Sequence, residues 1–267
     1  MRDLLWFDPN AEVEADAPDR VLSHPDPVKR ARAAMKRDLP RRFWREVAVE
    51  PLGEGFRILL DGRPVKTPGK RELRLPTAAL AGAVAEEWRA QETHLDPATM
   101  PVTRIANSVI DAVTDRRGEV AEDAVKYAGT DLLCYRAEAP DRLVARQSEG
   151  WDPLLDWIDE THGVRLLVAE GVMHVAQDGD ALRALRTRVD ALDPWTLAAL
   201  HVLTTLTGSF VLALAAIERR LTPDAAWELA HLDETWNAEL WGRDAEAEAR
   251  LAHRRREFDA ATRFAGL

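Results

Sequence analysis

The chain has 267 residues, and at roughly 100–200 residues per domain we expect two domains. Hydrophobic residues at 46% are too many for a disordered chain, and 36 Lys and Arg against 46 Asp and Glu leave a net charge of −10. That sign excludes a general nucleic-acid binder, whose affinity rests on neutralising phosphates.

The single cysteine, Cys134, cannot close an internal disulfide and points to a reducing compartment. Asp3, Asp8, Glu12, Glu14, Asp16 and Asp19 crowd the first twenty residues, which suits neither a signal peptide nor an acid-poor transit peptide. The bacterial cytoplasm is the expected location. Residues 1–38 read as a partly disordered arm with one short helix after Pro27.

From Phe43 the apolar period becomes two, and Trp44, Val47 and Val49 lead into a turn at Gly53–Gly55. Phe56–Leu60 then meets Asp61-Gly62, a dipeptide that tolerates positive φ at both positions and so marks a hairpin. Arg63–Thr67 and Glu72–Leu75 complete a predicted antiparallel meander. Gly53 and Gly55 lack the third glycine or the Lys-Ser/Thr that a phosphate loop needs, so they read as a plain turn. Thr77 caps a predicted helix to about Gln91, with Leu80, Val84 and Trp88 on one face to close the sheet.

Beyond Leu95-Asp-Pro97 the chain reads as helices at about 101–113, 118–128, 140–162, 180–191, 194–217, 223–241 and 243–263, with breaks at Gly, Pro and Asp-Pro positions. Leu132–Tyr135 and Val164–Val168 are ambiguous and could be extended. Pro194–Ile217 holds 24 residues without a formal charge, enough to span a bilayer. His201, Thr204, Thr205, Thr207 and Ser209 sit in its middle, where hydrocarbon penalises them, and Gly208 interrupts it. A buried helix or helix pair is expected, and no membrane span. The fold class is therefore α+β: a small N-terminal antiparallel β domain with a covering helix at 39–95, then a larger, mainly α-helical domain at 96–267.

Candidate chemistry is sparse. There is no Gly-x-Ser-x-Gly elbow, and Cys134 lies in an apolar run where a thiol is inert. Glu228-Leu-Ala-His231 has the spacing of a di-metal carboxylate bundle, and Asp159-Glu-Thr-His162 echoes it weakly. Such pairs arise by chance in an acid-rich chain, and no His-x-x-x-His ligand pair accompanies them. No metal is expected; a helical metalloenzyme stays as the alternative, together with an acidic interaction module for another partner.

Charge placement says more. Between Asp224 and Ala249 there are eight acids and one base, Arg243, so −7 of the net charge falls in about a tenth of the chain, together with Trp227, Trp236 and Trp241. Helical spacing puts Leu229, Leu232, Trp236 and Leu240 on one stripe expected to be buried. Glu228 and Glu239, eleven residues apart, project from nearly one side. Arg250, Arg254, Arg255 and Arg256 follow, and would lock the last helix onto the acidic one. Of the nine Trp, seven fit core or inter-helix packing, leaving Trp241 and Trp6 free to meet a partner.

Four strings carry a resemblance: Thr99-Met-Pro-Val-Thr103, Thr130-Asp-Leu-Leu-Cys-Tyr-Arg136, Gln147 with Trp151-Asp-Pro-Leu-Leu-Asp-Trp157, and Leu232-Asp-Glu-Thr-Trp-Asn-Ala-Glu-Leu-Trp-Gly242. In this order, over roughly Arg42–Arg256, the chain resembles the assembly chaperones of ATP synthase that bind the α subunit of its soluble catalytic head. The resemblance implies a small β domain plus a helical domain, no catalytic activity and no obligatory cofactor. It also implies that the chain holds the unassembled α subunit soluble until the β subunit takes its place. A monomer is expected, and for eukaryotic relatives the mitochondrial matrix. The family's functional acid lies in the stretch ending Trp-Gly, where this chain offers Asp233, Glu234 and Glu239; the choice among them stays open. Asp233 departs from the family's Glu, keeping the charge and shortening the reach. The implied docking face runs from Asp224 to Glu248, including Glu228, with Trp241 near its end.

Overall fold

The computed structural model describes residues 39–171 and 173–267. The expected arm with its expected short helix, and Trp6, lie outside them. The chain divides into two compact units between Ala112 and Val113.

In the first unit, β1 (Val47–Leu52) and β2 (Gly55–Leu60) pair antiparallel from Val47↔Leu60 to Leu52↔Gly55. Asp61 and Gly62 both take positive φ, as the hairpin signal requires. The Asp61 carboxylate accepts the N–H groups of Glu46 at 2.8 Å and Arg45 at 3.0 Å, which hold it below the usual carboxylate range. The predicted meander needs a correction. Two short strands, β3 (Arg63–Pro64) and β4 (Arg74–Leu75), share the other edge of β2, β3 at Leu59–Leu60 and β4 at Phe56–Arg57. Gly55 permits this, because a Cβ there would lie 2.8 Å from the Leu75 carbonyl oxygen.

Helix α1 (Ala78–Ala90) starts at the Thr77 cap and buries Leu80, Val84 and Trp88 against the sheet, with Trp88 edge-on to Trp44 at 5.1 Å. Its half-buried Glu87 explains the Thr99–Thr103 string. Helix α2 (Pro101–Ser108) begins with proline, and its next two N–H groups, Val102 and Thr103, donate to Glu87 at 2.8 and 2.7 Å. A carboxylate thus caps a helix start from a neighbouring helix. The predicted 101–113 helix ends as a π-helical turn at Val109–Val113. There Asp111 accepts the Thr67 hydroxyl at 2.6 Å and the Gly69 N–H at 2.8 Å.

The second unit holds α3 (Arg117–Ala128), a 3-10 turn at Leu132–Cys134, β5 (Tyr135–Arg136), α4 (Asp141–His162), β6 (Ala169–Glu170), α5 (Gly179–Asp190), α6 (Pro194–Thr207), α7 (Phe210–Ile217), α8 (Pro223–Ala230), α9 (Leu232–Trp241) and α10 (Ala245–Ala265). Of the ambiguous segments, Leu132–Tyr135 is a 3-10 turn leading into β5 and Val164–Val168 is irregular; β5 pairs in parallel with β6 just beyond the latter, through Tyr135↔Ala169 and Arg136↔Glu170. The uncharged stretch is a helix pair: Gly208 ends α6 in the left-handed region and Ser209 caps α7. Helix α7 is apolar on every side and buried from Phe210 to Ala216, the pattern of a central core helix. Among the described residues no helix is long and apolar enough to cross a membrane.

At the start of α7 sits Asp131, wholly buried. Its carboxylate accepts the N–H groups of Val211 and Leu133, both at 3.0 Å, while the Leu132 N–H donates to the Gly208 carbonyl at 3.2 Å. Burial pushes the Asp131 carboxyl up to about 6, against the pull of these bonds and of Ser209. Nearby Cys134 is a buried core residue, and that burial pushes its thiol up to about 12.

The Asp131 shift has a signed consequence. Between the unfolded value near 3.8 and about 6 the folded state holds the extra proton, so this group's contribution to stability falls as pH rises through that window and is flat above it. Urea unfolding of the wild type and Asp131→Asn across pH 4–7 is expected to show the wild type losing stability relative to the variant up to about pH 6. Asp131→Ala, which orphans both N–H groups at about 1–3 kcal/mol each, is expected to be strongly destabilised.

Candidate functional site

The acidic segment is not one helix. His231 interrupts it with φ −117° and ψ 26°, separating α8 from α9. The imidazole lies over the Trp227 ring at 3.9 Å, with Nδ1 2.9 Å from the Trp227 carbonyl, and burial pushes its pKa down. Glu228 and Glu239 therefore do not share a side of one helix, and His231 is a packed residue at a corner. His162 pairs with Glu218 at 3.1 Å, and Glu218 with Arg188 at 2.8 Å. Among the described residues no three His, Cys, Asp or Glu side chains gather as a metal ion would need.

The α8–α9 corner rests on α4. A Cβ on Gly150 would come within 2.8 Å of Leu229 Cδ2 and 3.5 Å of Leu232 Cδ1, so glycine lets the corner approach. The adjacent Trp151, fully buried, donates its indole N–H to the Leu229 carbonyl at 3.1 Å. Gln147, 1% exposed, accepts the Ala137 N–H at 2.8 Å and donates to Asp233 Oδ1 at 2.8 Å. Nearly two turns further along α9, Glu239 pairs with Arg146, the neighbour of Gln147, at 2.9 Å.

These contacts set the rotation of α9. Leu232 is buried, but Trp236 is only half-buried and Leu240 is 57% exposed, so the expected buried stripe fails beyond its first turns. The helix runs past the core that would have covered it. On the opposite side Glu234 and Trp241, seven residues and about two turns apart, lie on one outward face; Trp241 is 85% exposed. Gly242, at φ +85°, ends the helix directly after it.

Most of the acids in this segment are already matched. Asp224 pairs with Arg255, Glu239 with Arg146, Glu246 with Arg250 and Glu248 with Arg243, while Asp233 binds Gln147 and Asp244 caps α10. Among the described residues Glu228 and Glu234 alone of the eight make no hydrogen bond or ion pair with their carboxylates, although Glu234 lies close enough to His231 to favour its charged form; both are exposed. The predicted lock from the last helix rests chiefly on Arg255, which joins Asp224 and lies over the Trp227 ring at 5.4 Å; Arg254 instead binds the Leu206 carbonyl. The structure thus gathers Asp233 and Glu239 toward α4, turns Glu234 and Trp241 outward, and sets Glu228 across the break. Sequence reasoning missed Arg146 and Gly150. The signal that could have found them was their spacing around Gln147 and Trp151, one turn apart on a single helix.

Residues 41–159 match the family described as ATP12 chaperone protein. The chain is 26% identical over 214 residues to the mitochondrial protein atp12 of Schizosaccharomyces pombe, across 76% of this chain and 74% of that one. It is 48% identical to Atp12 from Paracoccus denitrificans, whose crystal structure superposes with a TM-score of 0.79, covering 85% of this chain and 97% of the other. The Atu1473 protein of Agrobacterium tumefaciens is 46% identical, with a TM-score of 0.81 and 92% of each chain covered.

The corner makes a direct prediction. Gly150→Leu, too large for the end of the Leu229 side chain to swing aside, is expected to destabilise the second unit by about 1–3 kcal/mol through overpacking, whereas in Gly150→Ala the gain of about 1 kcal/mol for Ala over Gly inside a helix offsets the contact. Chemical unfolding measures the loss, and hydrogen exchange should show α9 amides opening before those of α7.

Proposed function

Because the chain belongs to the ATP12 chaperone family, a group of assembly factors for ATP synthase, we propose that it captures the unassembled α subunit of the catalytic head in the bacterial cytoplasm and yields it to the β subunit. The observation that carries this reading is the outward face of α9. There Trp241 and the unmatched Glu234 share a stripe, Leu240 is exposed beside them, and Glu228 adds a second unmatched acid across the corner.

An orphan subunit of a permanent ring exposes a surface like half a core, which aggregates unless covered. The cover must bind more weakly than the final neighbour, and each 1.4 kcal/mol of difference gives about tenfold preference. Exposed acids facing basic groups on the client speed encounter and are screened by salt, while an aromatic anchor supplies contact area. A small surface of this kind suits a cover that must come off. Glu239 contributes from the edge of the same helix, where its pairing with Arg146 leaves it half-exposed. Capture and release need no reaction, and the reading assigns the chain no catalytic residue and no cofactor.

Co-purification with the α subunit tests the reading. Glu234→Lys and Trp241→Ala are each expected to lower α capture at least several-fold while leaving the thermal melt unchanged. Wild-type capture should weaken between low and physiological salt, where exposed charges are screened beyond about 8–10 Å. Wild-type yields from both variants would refute the proposal.

A further inference from the structure

Asp233 and Glu234 are sequence neighbours, yet a helix turns about 100° per residue and sends them to different faces. Asp233 faces α4 and Glu234 faces solvent. Among the contacts that set this rotation, one carboxamide is both buried and directional. Gln147 is buried, and its Oε1 is already committed to the Ala137 N–H at 2.8 Å, so the amide cannot flip. Its Nε2 must therefore present a donor toward α9, and Asp233 Oδ1 meets it at 2.8 Å. A buried donor left without an acceptor is costly, so Gln147 demands an acceptor at this position of α9. It demands nothing of that residue's charge.

The other holds on α9 leave this role to Gln147. Leu232 packs beside Gly150, but that apolar contact has no direction of its own, and the pairing of Glu239 with Arg146 is exposed on both sides. Exposed pairs of that kind contribute little to fixing a helix. Beyond Leu232 no residue of α9 is buried.

We propose that Asp233 serves capture as a positioning residue: by accepting the Gln147 amide it sets the rotation of α9 that turns Glu234 and Trp241 outward, and its own charge does not contact the client. The inference rests on the outward face being the capture surface.

Full-length variants with purified α subunit as the probe decide it. Asp233→Asn keeps an acceptor and removes the charge; capture is expected within about twofold of wild type, with an unchanged salt dependence. Asp233→Leu removes the acceptor and is expected to lose capture at least tenfold, with faster hydrogen exchange confined to α9. Loss of capture in Asp233→Asn equal to that in Asp233→Leu, or a flattened salt dependence in Asp233→Asn, overturns the positioning role. So does full capture by Asp233→Leu.

Where Asp233→Leu does not fold, Gln147→Glu and the double variant Gln147→Glu/Asp233→Asn replace it. The single change sets two carboxylates against each other, and the double change restores a donor and an acceptor with polarity reversed. Recovery of capture in the double variant is expected, and no recovery overturns the proposal. Glu234→Lys and Trp241→Ala separate the two levels. If both capture normally, the surface is wrong and the positioning role falls with it; if both fail while Asp233→Asn also fails, only the positioning role is lost.

Discussion

A carboxylate removed from water is the joint from which the second unit is built. Asp131 accepts N–H groups from the first turn of α7 and from its own 3-10 turn, so the most buried helix and the segment leading to α4 are fixed to each other. Three residues past that turn's first leucine contact, the Arg136 side chain donates to the Leu133 carbonyl at 2.9 Å, pairs with Asp152 at 2.7 Å and lies over the Trp151 ring at 5.2 Å. Ala137 then binds Gln147, and Gln147 binds Asp233. The path from core to outward face is thus a run of buried or half-buried polar contacts, each of which would be expensive to leave unmade.

That path joins three of the four strings that carry the family resemblance. Thr130–Arg136, Gln147 with Trp151–Trp157, and Leu232–Gly242 are far apart in the chain but meet at one corner. The fourth, Thr99–Thr103, belongs to the first unit, where Glu87 satisfies the start of a proline-led helix. Most of these residues hold the scaffold. A much smaller set, on the exposed side of α9, makes no such contact.

The acidic segment illustrates how local charge and available charge differ. Its sequence net of −7 overstates what a partner would meet, because six of eight acids are occupied within the second unit by arginines, a helix cap or the Gln147 amide. Partial neutralisation is consistent with the proposed transient cover. Under the proposed reading, strong, unscreened charge would hold a basic surface too long, while two free acids beside an exposed Trp would give steering with modest residence.

The sequence alone determined much of this protein. Alternation and Asp-Gly marked the hairpin, because turn geometry is a local property. Helix starts at Thr77, Asp193 and Thr222 were legible, because a cap binds the backbone two or three residues away. The polar residues at 201–209 distinguished a buried helix pair from a membrane span, and the ordered strings pointed to the family. Only the tertiary structure decided the rest. The pairing of β4 with β2, the break at His231, the exposure of Leu240 and the occupancy of each acid depend on contacts that periodicity does not encode: the Leu75 carbonyl against Gly55, Trp227 under His231, Gly150 against Leu229, Gln147 against Asp233. Helical periodicity says which side chains share a face. Which face is covered, and how far along its length, is set by the surface that arrives to cover it, and α4 ends its cover of α9 before Trp241.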